Sequence, residues 1–394
     1  MSGLSLDTIF SGTSGTSGTS GTSGTSGTSG TGDSAGYSGY DTPLVAGALI
    51  TNRDGIGGRW LAPEGAPASL CPGHAGNLEL WGPNERASIF HSELLSRLGF
   101  TTEAGSDTDA SSYDDIPGRA FVWHLDVTTD NTGKSPPKAD YQPLVSLTRP
   151  TKEIFVTQLE YLNVYADLRP DRAPEILTQL GVPIPFFSSI AFLHPSRTPW
   201  TMELLLAALR LAYFVVMWAK HGLACRRPHE YSPQVQPIIQ GPLHGTLPSG
   251  HATEAFIFAL VLLKLVRAGG RRPYDDLTLV EQLMAQASRI AVNRTVAGVH
   301  FPVDSAAGAV LGLTLGNYFV SRCGGADQYQ GWTFDGSKYP ATHDFDWTDF
   351  FDAKERIQTT FSETVSSPID KPKIAAGHSD ILAWLWDKAV DEWR

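Results

Sequence analysis

Three short segments of the sequence carry residues that together could bind and process an anion. They supply three cationic side chains, a hydroxyl group, two imidazoles and a carboxylate, a set that suits an oxyanion such as phosphate or vanadate. The segments are Lys220 with Arg227-Pro228, then Pro248-Ser249-Gly250-His251, then Arg294 with His300 and Asp304.

The first segment places a lysine and an arginine where they can approach one ligand from different directions. Lys220 falls on the last turn of a predicted long helix, whereas Pro228 biases Arg227 towards an extended conformation. Taken alone, both residues would be interpreted as solvated surface charges, because most lysines and arginines lie at the surface.

The second segment immediately precedes a strongly apolar helix. The free N–H groups at a helix start bind oxyanions, and Ser249 adds a hydroxyl group. Gly250 would let the backbone come close to the ligand, and His251 could act as an acid or a base near neutral pH. The alternative is that Ser249 is an ordinary helix N-cap.

The third segment joins a histidine to a carboxylate. Asp304 lies four residues beyond His300, and a carboxylate can hold one imidazole nitrogen so that the other faces a ligand. Arg294 comes just before this pair, at the end of another predicted helix. The alternative is a structural His–Asp pair with no ligand.

Capped, periodic segments between about 150 and 322 predict the helices that position these residues. We predict an all-α fold, a helical bundle with a loop-rich N-terminal region and minor β content. The predicted parts are a disordered Ser-Gly-Thr repeat tail and lead-in over 1–42, a loop-rich region packed on the bundle over 43–146, a catalytic helical bundle over 147–324, and an aromatic-rich cover with a C-terminal helix over 325–394.

Local patterns give more detailed predictions. Short strands are expected at 44–50 and 121–127, and a helix at 86–98. Thr278 and Glu281 form the pattern of a capping box for another helix. Gly308, Gly312 and Gly316 repeat every four residues, which predicts a smooth helix face against which a second helix packs closely.

Composition excludes some classes of function. The formal net charge of −11 argues against nucleic acid and anionic membranes as partners. The three cysteines form no zinc pattern. We find no signal peptide, and we interpret the apolar segment 204–219, which contains Arg210, as a core helix rather than a membrane span. The compartment is not predicted, and a homo-oligomer is left open.

The order of these motifs resembles the superfamily that joins type-2 phosphatidic acid phosphatases and vanadium-dependent haloperoxidases. Its pattern is Lys-x6-Arg-Pro, then Pro-Ser-Gly-His, then Ser-Arg-x5-His-x3-Asp. The sequence departs from the phosphatase form at Asn293, which stands in place of serine. The motifs span 220–304, and nothing in 1–146 carries the resemblance.

The resemblance implies a role for each matching residue. Vanadate would be the cofactor, with His300 as the ligand to vanadium, held by Asp304, and with His251 as the acid–base residue. Lys220 would also polarise the peroxide. The residues that would bind the oxygens of vanadate are Lys220, Arg227, Ser249, Gly250 and Arg294.

Among the activities of this superfamily, the sequence favours a haloperoxidase. Hydrogen peroxide would oxidise bromide or iodide to hypohalous acid, which halogenates small organic acceptors. His244 lies seven residues before His251, where bromide-oxidising members often have a histidine. The alternative is a soluble acid phosphatase that acts through a phosphohistidine at His300. A third hypothesis is a non-catalytic oxyanion-binding protein.

Overall fold

The computed structural model describes residues 43–59, 70–104, 118–128, 136–270, 274, 276–374 and 378–394. The Ser-Gly-Thr repeat lies outside the described residues. The described chain divides into two units, one that extends to Arg86 and one that begins at Ala87.

The first unit contains helix α1 (Pro43–Ile56) and a short 3-10 helix (Ala75–Leu80). The strand predicted at 44–50 is therefore wrong. Pro43 occupies the first helical position, where its fixed φ suits a helix and its missing N–H is not needed. The alanines and leucines that follow also favour a helix. Helix α2 (Pro83–Leu95) comes next and matches the helix predicted at 86–98.

The second unit is built mainly from helices, which dominate the segment 147–324 as predicted. The helices are α3 (Lys152–Tyr165), α4 (Arg169–Thr178), α5 (Ile184–Ala191), α6 (Pro199–Leu223), α7 (Pro228–Tyr231), α8 (Gly250–Gly269), α9 (Leu277–Val296), α10 (Pro302–Arg322) and α11 (Asp380–Asp391). The four longest, α6, α8, α9 and α10, carry residues of the predicted motifs, and α8 lies among α6, α9, α10 and α11.

A mixed five-stranded sheet also belongs to this unit, so the predicted all-α class is wrong and the fold is mixed α/β. Its strands are β1 (Leu98–Ala104), β2 (Gly118–Thr128), β3 (Lys138–Thr148), β4 (Gln328–Asp335) and β7 (Ser366–Ile374), and β5 (Phe351–Asp352) with β6 (Ile357–Gln358) forms a separate two-stranded ribbon. The strand order is β1-β2-β3-β4-β7, and β3 pairs with β4 in parallel.

Two features of the sequence conceal this sheet. Strand β2 confirms the strand predicted at 121–127. No strand is predicted at 138–148, and Pro143 inside β3 is a residue that is unfavourable in a strand interior. Pro143 lies at a bulge, where the register between β2 and β3 shifts, and a proline is tolerated at such a position. The segment predicted as an aromatic-rich cover, within 325–394, also supplies β4 and β7, which pair with each other and, through β4, with β3.

Close packing of α8 on α10 brings the second and third motifs together. A Cβ atom at Gly308 would lie 2.7 Å from the Ser249 carbonyl oxygen, and one at Gly312 would lie 2.5 Å from that of Thr253. Larger side chains would therefore force the helices apart. At the start of this contact the Ser249 N–H donates to the Asp304 carbonyl oxygen, at 2.9 Å.

Helix α6 is a core helix, in agreement with the prediction. Together with the short helix that follows it, α6 forms a segment, Pro199–Tyr231, that is long and apolar enough to span a membrane by length and composition. However, 72% of the most apolar part of this segment is buried inside the protein. The carboxylate of Glu392, the C-cap residue of α11, accepts from the N–H groups of Trp200 and Thr201 at the start of α6, both at 2.8 Å. The C-terminal helix thus caps the helix that carries Lys220.

Candidate oxyanion site

The end of α6 and the loop that follows it hold the first cation. Lys220 lies on the last turn and is only 2% exposed. Its Nζ donates to the carbonyl oxygens of Gly245 and Thr246, both at 2.8 Å, and so fixes the loop before α8. Burial and the nearby Arg227 hold the pKa of Lys220 well below its ordinary value.

Arg227 connects this loop to the third motif. Its Nε donates to the His244 carbonyl oxygen at 3.0 Å, and one terminal nitrogen donates to the Val299 carbonyl oxygen at 2.7 Å. The same terminal nitrogen lies 3.0 Å from Nε2 of His300. Burial lowers the pKa of Arg227 to about 10.

His300 and Asp304 form a buried pair that Thr246 completes. Nδ1 of His300 lies 3.0 Å from Oδ2 of Asp304 and 3.2 Å from the Thr246 hydroxyl oxygen. The Thr246 hydroxyl and the Phe301 N–H donate to the same Asp304 oxygen. The Asp304 oxygen and the Thr246 hydroxyl oxygen can both accept a hydrogen bond from Nδ1, so they favour the tautomer with the proton on that nitrogen. This tautomer leaves a lone pair on Nε2.

The protonation of this pair is governed by burial. Desolvation, followed by Arg227 and Lys220, holds the pKa of His300 well below its ordinary value, so its ring is neutral. Burial also raises the pKa of Asp304, although its hydrogen bonds and the two cations oppose the change.

Arg294, on the last turn of α9, contributes a third buried cation. One of its terminal nitrogens donates to Oε1 of Gln179 at 2.8 Å and to the Ile176 carbonyl oxygen at 3.3 Å. Its Nε and its other terminal nitrogen are buried and have no hydrogen-bond partner among the described residues. Burial lowers the pKa of Arg294 to about 9.

The second motif begins α8 as predicted. Ser249 is the N-cap, and its hydroxyl oxygen accepts from the Ala252 N–H at 3.4 Å, so the ordinary capping role is present. Gly250 and the part-buried His251 follow in the first turn. Desolvation, Arg294 and Arg227 hold the pKa of His251 well below its ordinary value, whereas a hydrogen bond to the main chain of Gln179 raises it.

His244 lies beside the site, at the wall of a cavity. Its Nδ1 is 3.1 Å from a terminal nitrogen of Arg227, and its buried Nε2 has no partner within the described part of the chain. Burial lowers the pKa of His244 to about 4. Arg227, His244 and the exposed Leu243 line a cavity of about 470 Å³, a volume suited to a small organic molecule.

The structure therefore brings residues of all three motifs together through hydrogen bonds and electrostatic interactions. Of the predicted site residues, Arg227 and His244 line the cavity. The structure also adds residues that the sequence did not reveal. Thr246 and Gln179 contact the histidines and arginines directly, but they come from segments without a motif. Glu254, one turn after His251, was also missed; burial raises its pKa to about 7. No cluster of three metal-ligating His, Cys, Asp or Glu side chains occurs in the described ranges.

The comparisons with known proteins point to one superfamily. Residues 202–325 match the model of the PAP2 superfamily, and every predicted site residue lies in that segment. The match supports the phosphatase/haloperoxidase superfamily, whose members are enzymes, for this part of the chain. It does not distinguish phosphatases from haloperoxidases. A search of curated proteins found no match to the chain.

Proposed function

We propose that this protein is a vanadate-dependent haloperoxidase that uses hydrogen peroxide to oxidise bromide or iodide to hypohalous acid. One observation carries the proposal. Lys220, Arg227 and Arg294 are buried, and within the described residues none of these side chains is paired with a carboxylate in an ion pair. Burying a cation without a partner of opposite charge costs free energy. We therefore expect a bound anion to neutralise part of the positive charge of these three side chains.

The residues present fit vanadate. Three cations and the N–H groups at the start of α8 suit its oxygens, and the neutral Nε2 of His300 suits its metal centre. When bound, vanadate would supply a Lewis-acidic centre that activates hydrogen peroxide for two-electron oxidation of a halide. No haem or redox-active cysteine is required for this chemistry.

The protein's own residues would bind, orient and transfer protons. Asp304 and Thr246 fix the tautomer of His300 through its Nδ1. Lys220 and Arg294 would place positive charge next to the oxygens, where charge develops during the reaction. His251, held on one side by the Gln179 main chain, would use its other ring nitrogen to exchange a proton with the oxyanion.

A bound anion would also change the state of His251. Arg294 and Arg227 lower the pKa of this ring. An anion between them would neutralise part of that field and raise the pKa towards neutrality. Proton donation by His251 would then be coupled to occupation of the site.

The second candidate is an acid phosphatase. The observation that favours it is the neutral His300, whose Nδ1 is held by a carboxylate and whose unprotonated Nε2 faces Arg227, because this arrangement also suits a nucleophile that attacks phosphorus. The cavity beside Arg227 could hold the organic part of a phosphate monoester in that case.

Two assays on the same preparation separate the candidates. We expect bromination of an indicator dye that requires vanadate, peroxide and bromide and that phosphate inhibits by competition. Phosphate release from a chromogenic ester, without bromination at saturating vanadate, would instead support the phosphatase. Phosphate binding without either activity would support a non-catalytic oxyanion-binding protein.

A further inference from the structure

Gln179 contacts an arginine of the oxyanion site with its side chain. It follows α4 and is only 2% exposed. Its Oε1 accepts from a terminal nitrogen of Arg294 at 2.8 Å and from Nδ2 of Asn293 at 3.0 Å. Because two donors face this atom, the hydrogen bonds themselves assign it as the amide oxygen. Gln179 lies outside the segment that matches the superfamily model.

The main chain of the same residue contacts a histidine of the site. The ring of His251 donates a hydrogen bond to the Gln179 carbonyl oxygen. One residue therefore holds two groups of the site, an arginine through its side chain and a histidine through its backbone.

The surrounding contacts hold Gln179 rigidly between α4 and α9. Its N–H donates to the Glu175 carbonyl oxygen at 2.8 Å. Asn293 donates to the Glu175 carboxylate at 3.0 Å and accepts from Arg172 at 3.0 Å. Arg289 pairs with the same carboxylate, and this pairing lowers the pKa of Glu175 to about 2. The charge of Glu175 is thus compensated by Arg289.

We propose that Gln179 is a positioning residue that orients Arg294 and His251 together towards the oxyanion. A neutral amide oxygen holds the guanidinium without cancelling its charge, so that charge remains for the ligand. The main-chain carbonyl holds one ring nitrogen of His251 and leaves the other for proton transfer. The inference rests on the oxyanion site, but it does not depend on whether that site works as a haloperoxidase or as a phosphatase.

The test is phosphate and vanadate affinity measured by titration calorimetry on the full chain. Gln179→Glu keeps an acceptor for Arg294 and Asn293 but adds a negative charge, so we expect about a hundredfold weaker binding. The deficit should shrink as the pH is lowered and the introduced carboxyl group protonates. Gln179→Met removes the acceptor but keeps the main-chain carbonyl, and we expect about tenfold weaker binding.

The matched control is Gln358→Glu. Gln358 is another buried glutamine, bonded to Thr314 and the Val310 carbonyl oxygen, and it is not among the residues that contact the site. This variant should bind phosphate like the parent. Parent-like phosphate affinity in both Gln179 variants would overturn the inference, and so would a deficit in Gln179→Glu that does not depend on pH. Failure of the proposed function would appear separately, as a parent protein that binds phosphate but oxidises no halide.

Discussion

His300 and His124 are both buried histidines, each 3% exposed, and yet they lie in very different surroundings. His124, on β2, has its Nδ1 2.9 Å from the hydroxyl oxygen of Tyr318 and packs edge-on against the rings of Tyr318 and Tyr329. Burial, with help from Arg322 and Arg97, lowers the pKa of His124 to about 4. His300 also has a lowered pKa, with burial and nearby arginine charge as causes.

Burial and a lowered pKa therefore do not separate a ligand site from a structural core. The two regions differ in the residues that surround the ring. The ring of His124 packs against the aromatic rings of Tyr318 and Tyr329. The ring of His300 has Asp304 on its Nδ1 and Arg227 on its Nε2, with Lys220 and the His251 ring close enough to lower its pKa. Several buried cations around a histidine that a carboxylate holds, rather than burial itself, mark the candidate anion site.

The largest effect is expected from His300→Ala. It removes the lone pair that we assign to vanadium, so vanadate retention and activity should be lost. The melting temperature should change little, because Asp304 keeps its bonds from Thr246 and the Phe301 N–H. Metal analysis after gel filtration, together with the bromination assay, measures both. A variant that retained vanadium and activity would show that the ligand is assigned wrongly.

His251→Ala should separate binding from catalysis. The cations that hold the oxyanion remain, so vanadate affinity should stay within about tenfold of the parent. Turnover should fall by about 10²–10⁴, the usual contribution of a general acid–base group. Rates at saturating vanadate give the measurement, and an unchanged bromination rate would exclude His251 from the chemistry.

His124→Leu should affect stability and leave the anion site unaltered. The pKa of His124 is lower in the folded state than in the unfolded chain, so protonation favours unfolding. The parent should therefore lose up to about 3 kcal/mol of unfolding free energy as the pH falls from 6.5 to about 4, and the variant should lack this contribution. Denaturant titrations across this pH range test the effect. Weakened phosphate binding in the variant would break the contrast between the two histidines.

The smallest effect, a change in halide preference, is expected from His244→Phe. His244 holds a terminal nitrogen of Arg227 and lies at the wall of the cavity. We expect the parent to oxidise bromide and iodide, with little oxidation of chloride near neutral pH, and we expect the variant to have an altered ratio of the three rates. Steady-state rates with each halide decide this. Efficient chloride oxidation by the parent, or an unaltered profile in the variant, would count against His244 as the selectivity residue.

Local signals in the sequence predicted most of the helices and all three motifs. Ser249 begins α8 and Pro302 begins α10, because capping and proline preferences are local. Even these signals compete, since α9 is capped by Asp276 and not by the capping box predicted at Thr278 and Glu281.

Long-range contacts could not be predicted in the same way. The parallel pairing of β3 with β4 joins segments separated by more than the whole helical bundle. Thr246 and Gln179 reach the site only after folding, and neither belongs to a recognisable motif. The residues proposed to bind the oxyanion, and Asp304, which holds His300, are thus visible in the sequence. Thr246 and Gln179, which contact these residues, appear only in the structure.

A crystal structure of the protein soaked with orthovanadate tests the central claim most directly. We predict vanadate bonded to Nε2 of His300, with Lys220, Arg227 and Arg294 around its oxygens and with the two unpaired nitrogens of Arg294 now hydrogen-bonded. Vanadate bonded to His251 or to His244, or vanadate bound elsewhere while Arg294 keeps its unpaired nitrogens, would contradict the account.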